Sequence, residues 1–111
     1  MPTPGKWLAP WYGVDDGEER RAIEGELRRE ICDTHVLAGK AATLMARRGD
    51  MDEALFLLSD GRVAEVHLTW GHSREMDPRW PTTTFYDSLD HWARQSMIPL
   101  HAWFNDTCDD N

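Results

Sequence analysis

Between Glu53 and Trp70 the chain reads as two extended segments joined by a turn. Arg62, Ala64, Val66, Leu68 and Trp70 fall on one face of the second segment, and Val63, Glu65, His67 and Thr69 on the other. The first face is mostly apolar and the second mixed, the pattern of a sheet covered by helices on one side and partly wet on the other. Ser59-Asp60-Gly61 supplies the turn: Asp hydrogen-bonds the backbone ahead of it, and Gly takes positive φ without a Cβ clash.

Upstream the period changes. Ile23, Leu27 and Ile31 recur every four residues, while Glu24, Glu26, Arg28, Arg29 and Glu30 fill the remaining circumference, which predicts a helix. Asp15 or Asp16 can cap it, and Glu18 and Glu19 suit the positive end of its dipole. Gly25 costs about 1 kcal/mol relative to Ala in such a helix, which points to a close approach by a neighbour. The helix should fail near Asp33-Thr34, and residues 35–39 turn the chain. Residues 40–48, KAATLMARR, have helical composition, but Gly39 and Gly49 bound a strand-length segment and the next two strands need a partner. We assign a strand, giving a three-stranded meander with the turn at 49–52.

Beyond Trp70, Pro78 and Pro81 interrupt regular structure around Arg79-Trp80. Thr82 to Tyr86 is β-prone and fits a short fourth strand. Asp87 is positioned as an N-cap with Asp90 three residues on, and Leu89, Trp92, Ala93 and Met97 or Ser96 mark a second helix ending before Pro99. Leu100, Trp103 and Phe104 suggest one further turn. Residues 1–14, with three prolines and two glycines, read as an irregular arm, and 106–111 as a frayed acidic tail.

The expected architecture is therefore one α+β domain over 15–105. A three- to four-stranded antiparallel meander would be flanked by an N-terminal and a C-terminal helix, both on the apolar face. The expected core comprises Ile23, Leu27, Ile31, Leu44, Leu55 or Phe56, Leu57 or Leu58, Val66, Leu68, Leu89 and Trp92.

Length and charge narrow the function. At 111 residues there is room for one modest core. Twelve Lys plus Arg against twenty Asp plus Glu leave a formal charge of −8, which argues against nucleic acid and anionic membranes and suits a basic protein partner. Cys32 and Cys108 form no CxxC pair and are expected as free thiols in a reducing compartment. The N-terminus lacks the apolar run of a signal peptide, and no stretch approaches membrane-spanning length, so a cytoplasmic location is expected.

Candidate chemistry gathers after the Val63–Trp70 segment. His67 and His72 with Asp77 and the Asp50/Asp52 turn offer mixed N/O ligands, but the ligand spacings of metal sites are missing, and neither metal nor cofactor is expected. Ser73 or Ser88 with His67 or His72 and Asp77 or Asp87 would supply a hydrolytic inventory, yet neither serine sits in a GxSxG elbow. Paired carboxylates in turns and helix starts are suited to capping, and no phosphate loop is present. The expected binding set is His67, Trp70, His72, Arg74, Arg79 and Trp80, because Arg and Trp together stack on planar ligands or anchor protein contacts.

Leu55-Phe56, Asp60-Gly61-Arg62 and Val66-His67-Leu68-Thr69-Trp70, followed by Pro78-Arg79-Trp80-Pro81 and Tyr86-Asp87-Ser88, resemble small bacterial proteins that carry an HLTW segment. The resemblance spans roughly residues 20–98. It implies a small α+β domain and assigns no catalytic residue. The expected function is a small acidic, non-catalytic binding protein of inhibitor or immunity type. The alternatives are a small-molecule site or enzyme at the end of the 62–70 strand, and a homodimer formed through a sheet edge or exposed Trp.

Overall fold

The computed structural model describes residues 7–71, 76–77 and 79–108, excepting the side chains of 105–108. Its elements are β1 (Trp11–Gly13), α1 (Gly17–Glu30), β2 (Ala42–Arg48), β3 (Glu53–Leu58), β4 (Val63–His67), β5 (Thr82–Tyr86), α2 (Leu89–Trp92), a π-helical segment (Ala93–Met97) and α3 (Ile98–Cys108). The strands form one antiparallel sheet in the order β1-β2-β3-β4-β5. The α+β class and the meander stand, with five strands where three or four were expected.

The extra strand comes from the N-terminal arm, which is not irregular at Trp11–Gly13: these residues pair with Arg48, Arg47 and Ala46. Segment 40–48 is a strand, and its register shifts between Leu44 and Ala46 as one residue bulges. The backbone of Leu44 beside the bulge is served by α1. Glu24 Oε2 accepts the Leu44 N–H at 2.8 Å, and Arg20 donates to the Leu44 carbonyl through Nη1 and to Val14 O through Nη2 at 2.8 Å. Asp16 caps α1 by accepting the Glu19 N–H at 2.9 Å. The second helix is capped by Ser88, not Asp87: Ser88 Oγ accepts the His91 N–H at 3.0 Å. The helical run then continues past Pro99 to Cys108, so it does not stop where a break was expected and covers the start of the expected tail. Pro99 follows directly on the π-helical turn, where the Ile98 N–H bonds back to Ala93 O and the regular i→i−4 ladder is already interrupted.

Both sheet faces are covered. On one, α1 packs Ile23 and Leu27 against Leu44, Ala54, Phe56, Ala64, Val66 and Leu68. On the other, Trp92, Leu89 and Met97 from the C-terminal helices meet Trp11, Met45, Leu55 and Val63. The expectation of both helices on one face is thus overturned. The reason lies in Leu55, Leu57 and Val63, which share the second face with Glu65 and His67 and bring enough apolar area to need a cover of their own. Trp92 anchors that cover, with Trp11 edge-on at 5.0 Å between centroids and Trp7 at 6.0 Å.

Candidate functional site

Strand register places the candidate residues at one end of the sheet. Glu53 opens β3 opposite His67, which closes β4, and Thr82 opens β5 opposite the same His67. The 49–52 turn, the segment after β4 and the segment before β5 therefore share one rim. The Leu68 N–H donates to Asp52 O at 3.1 Å across it. The turn after α1 joins this rim through His35, which is buried. Its Nε2 lies 2.8 Å from Pro81 O, and its Nδ1 accepts the Leu37 N–H at 3.0 Å. With Nδ1 accepting, Nε2 carries the proton and donates to Pro81, so both ring nitrogens are engaged.

His67 stands on the Trp92 side of the sheet. There its neighbour Glu65 accepts from Trp92 Nε1 and Ser96 Oγ, each at 2.8 Å. Burial and the Glu65 charge push the Tyr86 hydroxyl upward. Trp70 goes the other way and packs against the α1 core, with the Arg47 guanidinium 5.8 Å from its ring centroid. The structure thus separates His67 from Trp70 by the thickness of the sheet. Arg79 and Trp80 lie together on the rim, while His72 and Arg74 fall outside the described residues. Arg79 clasps Asp77, Nη2 to Oδ2 at 2.6 Å with Nε at 3.0 Å from the same oxygen, and this holds the Asp77 carboxyl at about 2. Trp80 is 44% exposed, and Val36 at 53% and Met76 at 88% are exposed on the segments that lead into the rim.

Two residues that organise this rim are not among the sequence candidates. By periodicity Glu26 and Glu30 belong to the polar circumference of α1, yet both are fully buried. Glu30 Oε1 accepts the Thr69 N–H at 2.9 Å and Oε2 the Trp70 N–H at 2.7 Å. These bonds hold the chain where Trp70 takes a φ of +57. Burial, followed by the hydrogen bond that the protonated Glu30 donates to Glu26, raises Glu30 from 4.5 to about 7. Glu26 also receives Arg29 Nη2 at 2.8 Å. The available signal was position: Glu26 and Glu30 lie three residues after Ile23 and Leu27, on the shoulder of the apolar stripe.

Beside the rim a cleft of about 350 Å³ is lined by Thr34, His35, Val36, Arg79, Pro81, Thr82 and Thr83. Of its polar members, His35 bonds the backbone, Arg79 clasps Asp77, Thr34 meets Cys32, and the Thr83 hydroxyl donates to Pro81 O. Cys32 is buried nearby, and the Thr34 hydroxyl 3.5 Å from its sulfur lowers the thiol pKa. Ser88, a nucleophile candidate, spends its oxygen on the His91 N–H. Compared with protein families, curated proteins and solved structures, the chain matches none.

Among the described residues, local ion pairs neutralise most of the cations. Arg29, Arg47, Arg48, Arg62, Arg79 and Arg94 each pair with an Asp or Glu. Asp33 and Asp52, both exposed and both at the rim, make no such pair. No helix among the described residues is long and apolar enough to cross a membrane.

Proposed function

We propose that this chain is a small acidic, non-catalytic binding protein of inhibitor or immunity type. It acts by protein–protein contact through the rim that presents Val36, Met76, Arg79 and Trp80. The observation that carries this reading is the exposure of Trp80 on a segment held from two sides. His35 binds the next residue, Pro81, and the Trp80 N–H donates to Asp77 O at 3.0 Å. A large apolar side chain on a pre-ordered support loses little entropy on binding. With Arg79 neutralised by Asp77, the unpaired Asp33 and Asp52 give the rim a negative sign, and the chain's −8 charge steers a basic partner toward it.

Affinity capture tests this. The wild-type chain should retain a basic protein at low salt and release it at about 0.5 M salt, where charges are screened beyond a few Å. Trp80→Ala should lose it, while Trp103→Ala, altering an exposed Trp on α3, should keep it. Equal retention by Trp80→Ala overturns the assignment of the rim, and the lack of any salt-sensitive basic partner overturns the reading itself.

The cleft beside Thr82 favours a second reading, a small-molecule site, since its volume lies in the range of ligand pockets. Stabilisation of the wild type by small anions in a thermal-shift screen, abolished by Arg79→Ala at the cleft wall, would support it in place of the first.

A further inference from the structure

We propose that two copies of this chain pair through β5, antiparallel about a two-fold axis at Thr84, joining their five-stranded sheets into one continuous sheet. β5 is bonded to β4 on one side and forms the sheet's edge on the other. Edge strands are usually blunted by a charge, a proline or a bulge. Thr82–Tyr86 has none of these within it, and all five residues pair in regular register with β4. The opposite edge, β1, is only three residues long.

The sequence of β5 complements itself. An axis normal to the sheet keeps every side chain on its own face, so the pleat requires one residue to oppose its own copy. With Thr84 at that point, Thr83 faces Phe85 of the second copy and Thr82 faces Tyr86. Aromatic–β-branched and Thr–Thr pairs are the favourable cross-strand combinations, and this single register supplies only such pairs along the strand. Phe85 of the second copy, opposite Thr83, then lies against the cleft lined by Thr34, Val36, Pro81 and Thr83. The strand ends match in charge. Asp87, exposed and without an ion pair among the described residues, lies opposite Pro81 of the second copy, two residues from Arg79. Arg79 uses Nε and Nη2 on Asp77, and its side chain is 82% exposed.

This pairing would cover Val36 and Arg79 of the proposed partner rim, so the two readings compete for those residues, but their failures are separable because a monomeric variant can still be tested for capture. Sedimentation over a roughly hundredfold concentration range should move the wild type toward twice the 12.8 kDa chain mass. Thr84→Lys should hold it at a single chain's mass, since two lysines would then oppose each other. Its fold should survive, because the new lysine faces Glu65 of its own chain. Thr84→Cys should oxidise to a disulfide dimer, the two Cβ atoms lying about 5 Å apart. Thr82→Cys should not, as its copies are separated by about 13 Å along the strands. A wild type that stays monomeric, a Thr84→Lys variant that still dimerises, or a Thr82→Cys disulfide that forms as readily as the Thr84→Cys one overturns the proposal.

Discussion

Glu30 holds Trp70 across forty residues of sequence, its Oε2 accepting the Trp70 backbone N–H at 2.7 Å while Oε1 takes that of Thr69. The contact ties the end of α1 to the start of the loop leading to the rim. It also leaves two carboxyl groups, Glu26 and Glu30, inside the protein.

A pH dependence follows from that pair. The folded chain holds a proton on it up to about 7, where an unfolded glutamate would release it near 4.5. The stability this contributes is complete below pH 4.5 and is lost as pH rises through 7. Urea unfolding should therefore show a loss on the order of 1–3 kcal/mol between pH 5 and pH 8. Glu26→Gln, whose amide donates to Glu30 at every pH, should flatten the slope. Asp50, Asp60 and Asp77 are held below their ordinary 3.8, so their contributions vanish only in stronger acid, outside this window. An unchanged slope in Glu26→Gln would refute the assignment.

Two tryptophans on the same core face should respond differently to loss of the indole N–H. Trp92 Nε1 donates to Glu65, whereas the buried Trp11 Nε1 has no acceptor among the described residues. Trp92→Phe removes packing and a bond to a charged group, and should cost about 3–5 kcal/mol. Trp11→Phe removes packing and relieves an unsatisfied donor, and should cost about 1–2 kcal/mol or less. Chemical denaturation of both variants measures the difference, and equal losses would contradict the role given to Glu65.

Gly25 does not mark the close approach expected of it. A methyl group there would meet Arg29 Nη1 at 3.6 Å, ordinary contact with the end of a flexible side chain. Gly25→Ala should therefore stabilise the protein by about 0.5–1 kcal/mol, by helix propensity and a less flexible unfolded chain. A fall in thermal midpoint would show that α1 has less room than this distance implies.

The elements legible in the sequence were those whose periodicity and local chemistry agree. The α1 stripe, the Asp60-Gly61 turn, with Gly61 at φ +93, and the 82–86 strand are the clearest cases. What stayed hidden depended on distant partners. Trp11–Gly13 is a strand because β2 offers an edge, and nothing in its proline-rich surroundings shows that. Glu30 is buried because backbone N–H groups about forty positions away require acceptors, and Glu26 is buried beside it. His35 sits in an unremarkable turn until Pro81 arrives beside it. Of the expected binding set, Arg79 and Trp80 are placed together by local sequence. His67 and Trp70, an odd number of residues apart in an extended run, were already on opposite faces by parity.

The layer over the second sheet face is assembled from the two extremes of the chain: Trp7 and Trp11 meet Trp92, and the His101 ring reaches the Ala9 carbonyl at 2.7 Å. Neither extreme can be trimmed alone. Proteolytic removal of the first dozen residues would take Trp7 and Trp11 from beside Trp92 and the Ala9 carbonyl from His101, so a cut after Tyr12 should loosen the C-terminal helices as well as the arm.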